Sequence, residues 1–410
     1  MRFVLKPKFE AKVSFKLVLK NIFVILLKIS SNNMNKILKL SFLIPFLLMF
    51  ACNKQSNTNH KKNKTLSKIR YAKGFDIIDK KGIKKLIIKT DNKNSNNFSD
   101  YTITKKSNKQ VTESHHNIRV PIKEIILTST THVPMVELLN EEESIIGFPN
   151  SKYISSLKTR SLIDNSQIKE IGKESSLNTE IILELQPELV VGFAVASEDK
   201  NLTTLKKAGI TVIYNADWLE NTPLGRAEWI QFFGILFDKE KQADSIFKTI
   251  EKNYNEAKEI AEKSKISPKI ISGAIMSKGI WNLPAGDSFV AQFMKDANLN
   301  YLWKNTKGKG SLSLSFESVF DKGKNADFWI APAYFTTKKD LLKSNNLYAE
   351  FKAFKDDEIY TPTTKKGTTG GVIYYELAPT RPDLVLKDFI KITNPKLLPN
   401  YNLTFFEKMK

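Results

Sequence analysis

The chain has 410 residues, 41% of them hydrophobic, and a formal net charge of +21, an excess that taken whole points to an anionic surface or nucleic acid. The excess is local: residues 1–118 hold 25 Lys and Arg against 6 Asp and Glu, whereas residues 119–410 hold 39 against 37. A nucleic-acid-binding body would line one face of its fold with basic residues, so no nucleic-acid partner is expected, and a single cysteine, Cys52, rules out an intramolecular disulfide.

In chain order, the first signal is an uncharged apolar run, Leu40 to Ala51, preceded by Met34, Lys36 and Lys39 and followed at once by Cys52. A short basic segment, a run too short to span a bilayer, a small residue and then cysteine is the layout of a bacterial lipoprotein signal peptide, cut before a cysteine that receives lipid. Met49 and Phe50 are larger than the residues usual before such a cut. The mature protein is expected to be periplasmic and tethered to the cell membrane through lipid on Cys52. Residues 1–33 hold a second basic and apolar stretch, and two tandem export signals serve no purpose, so Met34 is read as the true start and residues 34–52 as the leader.

Residues 53–118 read as a polar, Asn- and Lys-rich linker with a small β extension: a hairpin over Tyr71–Lys89 and a strand over Tyr101–Thr104. A disordered basic tether with mild attraction to anionic head groups fits this composition. From 119 to 237 strand and helix signals alternate: strands Glu124–Leu127, Ile145–Gly147, Leu189–Phe193 and Thr211–Tyr214, and helices Val133–Leu139, Thr179–Leu185 and Leu202–Ala208. Buried strands alternating with helices mean parallel β-α units.

The longest helix is expected over Lys239–Lys263, within a segment 238–265, because Ala243, Ile246, Phe247, Ile250, Tyr254 and Ala257 recur at three and four residues without Gly or Pro. Alternation then resumes over 266–410. Strands are expected at Lys269–Ile275, Asp327–Ile330 and Glu358–Thr361, and helices at Ser288–Ala297, Phe316–Phe320, Asn346–Ala353 and Arg381–Ile392. The whole is an α/β chain of two Rossmann-like lobes.

One local pattern occurs in both halves. Asn178, Thr179 and Glu180 open a helix that leads into the strand Leu189–Phe193, and Ser315, Phe316 and Glu317 open one that leads into Phe328–Ile330. Asn and Ser are N-caps, which puts each Glu at the second helical position. A first-turn Glu complements the helix dipole by about 0.3–1 kcal/mol. The same cap and acid in both lobes add a second reading: two exposed carboxylates seated in two basic pockets of a two-fold symmetric partner.

Six stretches carry a family resemblance: LTSTTHVPMVELL (Leu127–Leu139), LNTEIILELQPELVVGF (Leu177–Phe193), NTPLGRAEW (Asn221–Trp229), WNLPAGDSF (Trp281–Phe289), LSLSFE (Leu312–Glu317) and RPDLVLKD (Arg381–Asp388). From about Tyr71 to its end the chain resembles the periplasmic metal-chelate binding proteins of ABC importers, a group covering ferric siderophore, haem and vitamin B12 binding proteins, and most closely their lipoprotein members from Bacteroidetes. The resemblance implies a class III periplasmic binding fold, two lobes joined by a single rigid bridging helix, with ligand in the cleft between them. It also implies that Glu180 and Glu317 dock onto arginines of an ABC permease dimer that works with its ATPase.

The chain has four His, and only His132 lies in the body, so capture of a bare transition metal is not expected. A chelated metal needs aromatic walls and a few donors at its polar rim. Ligands of α/β sheets bind at carboxyl ends of strands, which points to Tyr153, Trp218, Trp281, Tyr334, Tyr374, Tyr375 and Arg381. His132, Asn282 and Phe335 sit at similar positions, and His132 or Tyr153 is the side chain that would ligate a haem iron. Arg226 and Trp229 fall in a well-matched stretch, where Arg226 could equally hold its own loop. Val372 and Ile373 follow Gly370 and Gly371 where related chains carry Asn and Asp.

The expected ligand is a ferric siderophore, with cobalamin or haem as alternatives; no resident cofactor and no catalytic residue are expected. The competing classes are an enzyme on the same scaffold and a surface lipoprotein without a permease. No G-x-S-x-G elbow, phosphate loop or G-x-G-x-x-G fingerprint supports the enzyme.

Overall fold

The computed structural model describes residues 67–80, 83–89, 98–108, 116–193 and 200–410. Cys52, the signal peptide and the first part of the tether lie outside these residues. Within Thr65–Lys410 the described chain forms one unit.

It opens with a four-stranded sheet of β1 (Phe75–Lys80), β2 (Ile83–Lys89), β3 (Phe98–Lys105) and β4 (Asn117–Val120), in that spatial order. The sequence anticipates the hairpin but not β4, which runs parallel to β3. This sheet is not a free appendage: Phe75, Leu86, Tyr101 and Ile118 are buried in the same core as the first lobe, and the Phe75 ring lies 4.5 Å from that of Trp229.

The first lobe is built on a parallel sheet. Its strands are β5 (Ile125–Leu127), β6 (Ile145–Phe148), β7 (Lys169–Glu170), β10 (Leu189–Phe193) and β11 (Val212–Asn215), in the order β11-β10-β5-β6-β7; β8 (Gly172–Lys173) and β9 (Ser176–Leu177) form a separate hairpin. The residues of β5 and β10 up to Gly192 are all buried, as a strand covered on both faces requires. Six helices follow through this lobe: α1 (Val133–Leu138), α2 (Leu157–Asp164), α3 (Thr179–Leu185), α4 (Lys200–Lys207), α5 (Pro223–Ala227) and α6 (Ile230–Leu236).

Helix α7 (Glu240–Glu262) joins the lobes, and at 1.5 Å per residue its 23 residues span about 35 Å. Its buried residues, Ala243, Phe247, Ile250, Tyr254, Ala257 and Ala261, are spaced four and three apart on one stripe. The first three belong to the core of the first lobe and the last three to that of the second, so one amphipathic face is shared by two cores. Such a helix cannot bend without opening one of them.

The second lobe carries β12 (Lys269–Ser272), β15 (Asn300–Tyr301), β17 (Phe328–Ile330), β18 (Ile359–Thr361) and β19 (Glu407–Lys408), ordered β15-β12-β17-β18-β19, with β19 alone antiparallel. A smaller antiparallel sheet holds β13 (Ala274–Ser277), β14 (Ile280–Pro284) and β16 (Ser311–Ser315). Its helices are α8 (Phe289–Asp296), α9 (Phe316–Gly323), α10 (Lys338–Ser344), α11 (Lys352–Lys355), α12 (Ile373–Leu377) and α13 (Pro382–Thr393).

Two expectations are corrected. The strand expected over Lys269–Ile275 is two strands in two sheets, because Gly273 turns the chain at φ +73°, and a Cβ there would sit 1.8 Å from the Asn282 carbonyl oxygen. The helix expected over Asn346–Ala353 is a 3₁₀ segment, Asn346–Glu350, cut off from α11 by Phe351, whose backbone is extended and whose ring is fully buried.

Candidate functional site

The edges of the two lobes meet along a seam. Glu376 of α12 is 2% exposed, and its carboxylate accepts hydrogen bonds from the Ser155 amide, the Ser155 hydroxyl at 2.8 Å and the Ser156 amide at 3.1 Å, all on the first lobe. Beside it the Thr369 hydroxyl donates to the Lys152 carbonyl at 2.7 Å. The Gly367–Gly371 loop fits here because it lacks side chains: a Cβ on Gly371 would stand 2.1 Å from the Tyr153 carbonyl oxygen, and one on Gly367 2.6 Å from Ser155 Cα. Burial raises the Glu376 pKa, against the amides and hydroxyl of Ser155 and Ser156 that hold its charged form.

Between the lobes, next to this seam, lies a cavity of about 330 Å³. Phe193 ends β10, and Trp218 stands in the 3₁₀ turn Asp217–Leu219 just after β11, so both come from carboxyl ends of parallel strands. Their rings are 5.9 Å apart. Ser129 and Thr131, after β5, add hydroxyls that bond each other at 3.0 Å. The facing wall is α8, through Phe289, Val290 and Phe293, and α12 with the turn after it, through Tyr374, Tyr375, Ala378 and Pro379.

The floor comes from the NTPLGRAEW stretch. Thr222 caps α5 by accepting the Gly225 amide at 3.0 Å, Pro223 stands first in the helix, and Arg226 then points to the cavity. Arg226 Nη2 donates to Asp217 Oδ2 at 2.9 Å, and Asp217 is wholly buried. The Arg226 Cζ also lies 4.4 Å from the Phe289 ring centroid. Arg226 therefore pairs with a carboxylate rather than bracing its loop through carbonyls. The two acids flanking it do the bracing: Glu228 accepts the amides of Arg70, Tyr71 and Ala72, and Glu220 those of Lys73 and Gly74 and the Trp229 indole N–H. Arg70 and Tyr71 also bond Glu251 on α7.

The residues singled out from sequence separate into groups. Trp218, Tyr374 and Tyr375 share the cavity. Tyr334, 66% exposed, stands outside with its ring edge-on to Tyr375 at 6.2 Å, and Tyr375 meets Tyr374 at 5.6 Å, so three phenols step from rim to interior. Tyr153 is half exposed at the seam and does not line the cavity. Trp281, expected at the cleft, lies instead in the second lobe's core: it is fully buried, stacks on Trp329 at 5.3 Å and donates its indole N–H to the Ser272 carbonyl. Alternation along β14 turns Trp281 and Leu283 inward together. Arg381, also expected there, precedes the first residue of α13 and holds Asp383 through two hydrogen bonds of 2.9 and 2.8 Å.

Burial pushes the Tyr374 phenol up to about 12 and the Tyr375 phenol higher still, so both remain protonated donors. His132 is wholly buried behind the floor with no hydrogen-bond partner on either ring nitrogen; burial pushes it down to about 4, with Asp217 opposing and Arg226 adding to the shift. It is a neutral imidazole that does not line the cavity. Among the described residues no group of three or more His, Cys, Asp and Glu side chains could hold a metal ion.

Glu180 and Glu317 are both exposed at the second position of α3 and α9. Asn178 accepts the amides of Glu180 and Ile181, and Ser315 accepts that of Ser318. Bonds from its own amide and from Ser315 lower the Glu317 pKa and keep it charged.

A family model described as Periplasmic binding protein matches residues 125–365. Two uncharacterised lipoproteins of the archaeon Methanocaldococcus jannaschii are each 27% identical, one over 71% of this chain and 70% of its own length, the other over 72% and 75%. Among solved structures, a possible iron-binding (periplasmic solute-binding) protein from Staphylococcus epidermidis aligns with TM-score 0.53 at 19% identity, over 67% of this chain and all of that one. A periplasmic haem binding protein from Pseudomonas aeruginosa aligns with TM-score 0.53 at 15% identity, over 70% and 98%. These likenesses concern the fold.

Proposed function

The chain belongs to the periplasmic binding protein family, and on that premise we propose that it is the substrate-binding lipoprotein of an ABC importer, capturing a metal chelate of the ferric siderophore class and handing it to a membrane permease. The observation that carries this reading is the interlobe cavity, walled by Phe193 and Trp218 on one side and by Phe289, Phe293, Tyr374 and Tyr375 on the other. Aromatic walls and a few hydroxyls suit a bulky chelate that brings its own metal ligands. Cobalamin and haem are the alternative cargoes of the same mode, and the haem-binding and iron-binding descriptions of the structural neighbours support the class.

The mechanism is binding, not catalysis. The lobes hold the ligand between them, the shared helix α7 limits their opening to a small rocking, and the loaded protein docks through Glu180 and Glu317 to arginines of the two permease subunits. Lipid on Cys52 keeps it at the membrane, a location the names of the archaeal lipoprotein relatives support.

Fluorescence titration tests the reading, because of the tryptophans in the described structure only Trp218 lines the cavity. A panel of ferric chelates, haemin and cobalamin should include one member that quenches saturably, with the response lost in Trp218→Phe. A panel without a binder would overturn the assignment. Replacing Glu180 and Glu317 together by Arg should abolish uptake with ligand affinity intact; undiminished uptake would remove the docking role.

A further inference from the structure

Among the described residues that line the cavity, Arg226 carries the sole formal charge. That charge is already spent twice. Asp217, itself wholly out of water, neutralises it through the 2.9 Å pair, and the Phe289 ring lies over the guanidinium at 4.4 Å from the opposite lobe. The other lining groups are apolar side chains, the Trp218 indole and the hydroxyls of Ser129, Thr131, Tyr374 and Tyr375, all of them uncharged.

A polyanion entering this space would give up its hydration and meet no net positive charge, because the attraction of Arg226 is offset by the carboxylate directly behind it. A chelate whose own donors cancel the metal charge gives up little. It would lay its apolar periphery on the rings and accept hydrogen bonds from the hydroxyls and the remaining guanidinium N–H groups. The phenols, protonated at neutral pH, act there as donors rather than as phenolate ligands.

Resting on the chelate-capture reading, we propose that the cleft selects electroneutral metal chelates, of the tris-hydroxamate or corrinoid kind, over polyanionic catecholate or carboxylate chelates, and that the buried Asp217–Arg226 pair sets this selectivity.

The test is a charge series on the full chain in mild detergent: a neutral ferric tris(hydroxamate), cyanocobalamin and a trianionic ferric tris(catecholate), each titrated at low and high salt. At least one neutral probe should bind ~100-fold tighter than the trianion, with affinity changing less than about twofold between 50 and 500 mM salt. Equal or tighter binding of the trianion, weakened by salt, overturns the charge selectivity while leaving chelate capture intact. Binding of none of the three overturns chelate capture and the selectivity with it. Asp217→Asn uncovers Arg226 and should narrow the ratio about tenfold or more by strengthening trianion binding; an unchanged ratio in the folded variant removes the pair from the explanation. If that variant does not fold, Arg226→Gln takes its place: it leaves the Asp217 carboxylate unopposed and should widen the ratio by weakening trianion binding, and an unchanged ratio there likewise removes the pair from the explanation.

Discussion

Replacing Glu376 by Ala should loosen the seam between the lobes. The carboxylate now accepts two amides and a hydroxyl from Ser155 and Ser156, and its loss leaves both amides without this acceptor in a partly buried place. A fully buried unpaired amide costs about 1–3 kcal/mol; these two are partly buried and relief of the buried charge returns part of the loss, so the net cost is about 1–3 kcal/mol. For a chain of this size that lowers Tm by roughly 1.5–4 °C. Glu376→Gln keeps one acceptor oxygen and should lose about half as much. Calorimetry reads the stability, and small-angle scattering of the ligand-free protein reads the opening as a larger radius of gyration. An Ala variant within about 1 °C of the parent, with unchanged scattering, would refute the seam as a latch.

Gly371→Ala should act on the same seam by sterics, since its Cβ cannot coexist with the Tyr153 carbonyl at 2.1 Å; ligand affinity should fall at least ~10-fold while each lobe keeps its far-ultraviolet circular dichroism. His132 should make folding acid-sensitive: its native pKa of about 4 lies below the unfolded value near 6.5, so the unfolded chain binds more protons between them and stability falls as pH drops through that window, by up to about 3 kcal/mol. Denaturant titrations from pH 7 to 4 would show this slope, and His132→Gln should flatten it. Phe247→Ala, at the centre of the stripe α7 gives the first lobe, should cost about 3–5 kcal/mol in urea unfolding.

Much of the architecture was legible because it rests on periodicity. The four-three spacing from Ala243 to Ala257 placed the bridging helix to within a residue at each end, and continuous apolar runs placed β5 and β10. Helices α5 and α6 escaped, because Pro223–Ala227 and most of Ile230–Leu236 are buried all round and show no polar face to set a period. Gly273 and Phe351 broke expected elements for reasons visible only in three dimensions: one lets two backbones approach, the other follows the burial of its ring.

The strand-end rule reached Trp218, and the loop after β18 led to Tyr374 and Tyr375. It misplaced Trp281, because an indole on the inward side of a short antiparallel strand reads like one at a loop. Phe289 and Phe293 lie on α8, where a cavity wall and a core face have the same amphipathic pattern. The partnership of Asp217 with Arg226 spans a turn and a helix start, and nothing in the spacing of the two residues announces it.

Aromatic rings from both lobes line the cavity, so a bound ligand should be held by both lobes at once. Isothermal titration of the full chain with the chelate that quenches Trp218, repeated with Phe193→Ala on one lobe and Tyr374→Ala on the other, measures this. One site per chain is expected, with affinity falling ~5- to 50-fold for each variant, as loss of one aromatic contact implies. Full affinity in both variants would mean that the ligand binds outside the interlobe cavity.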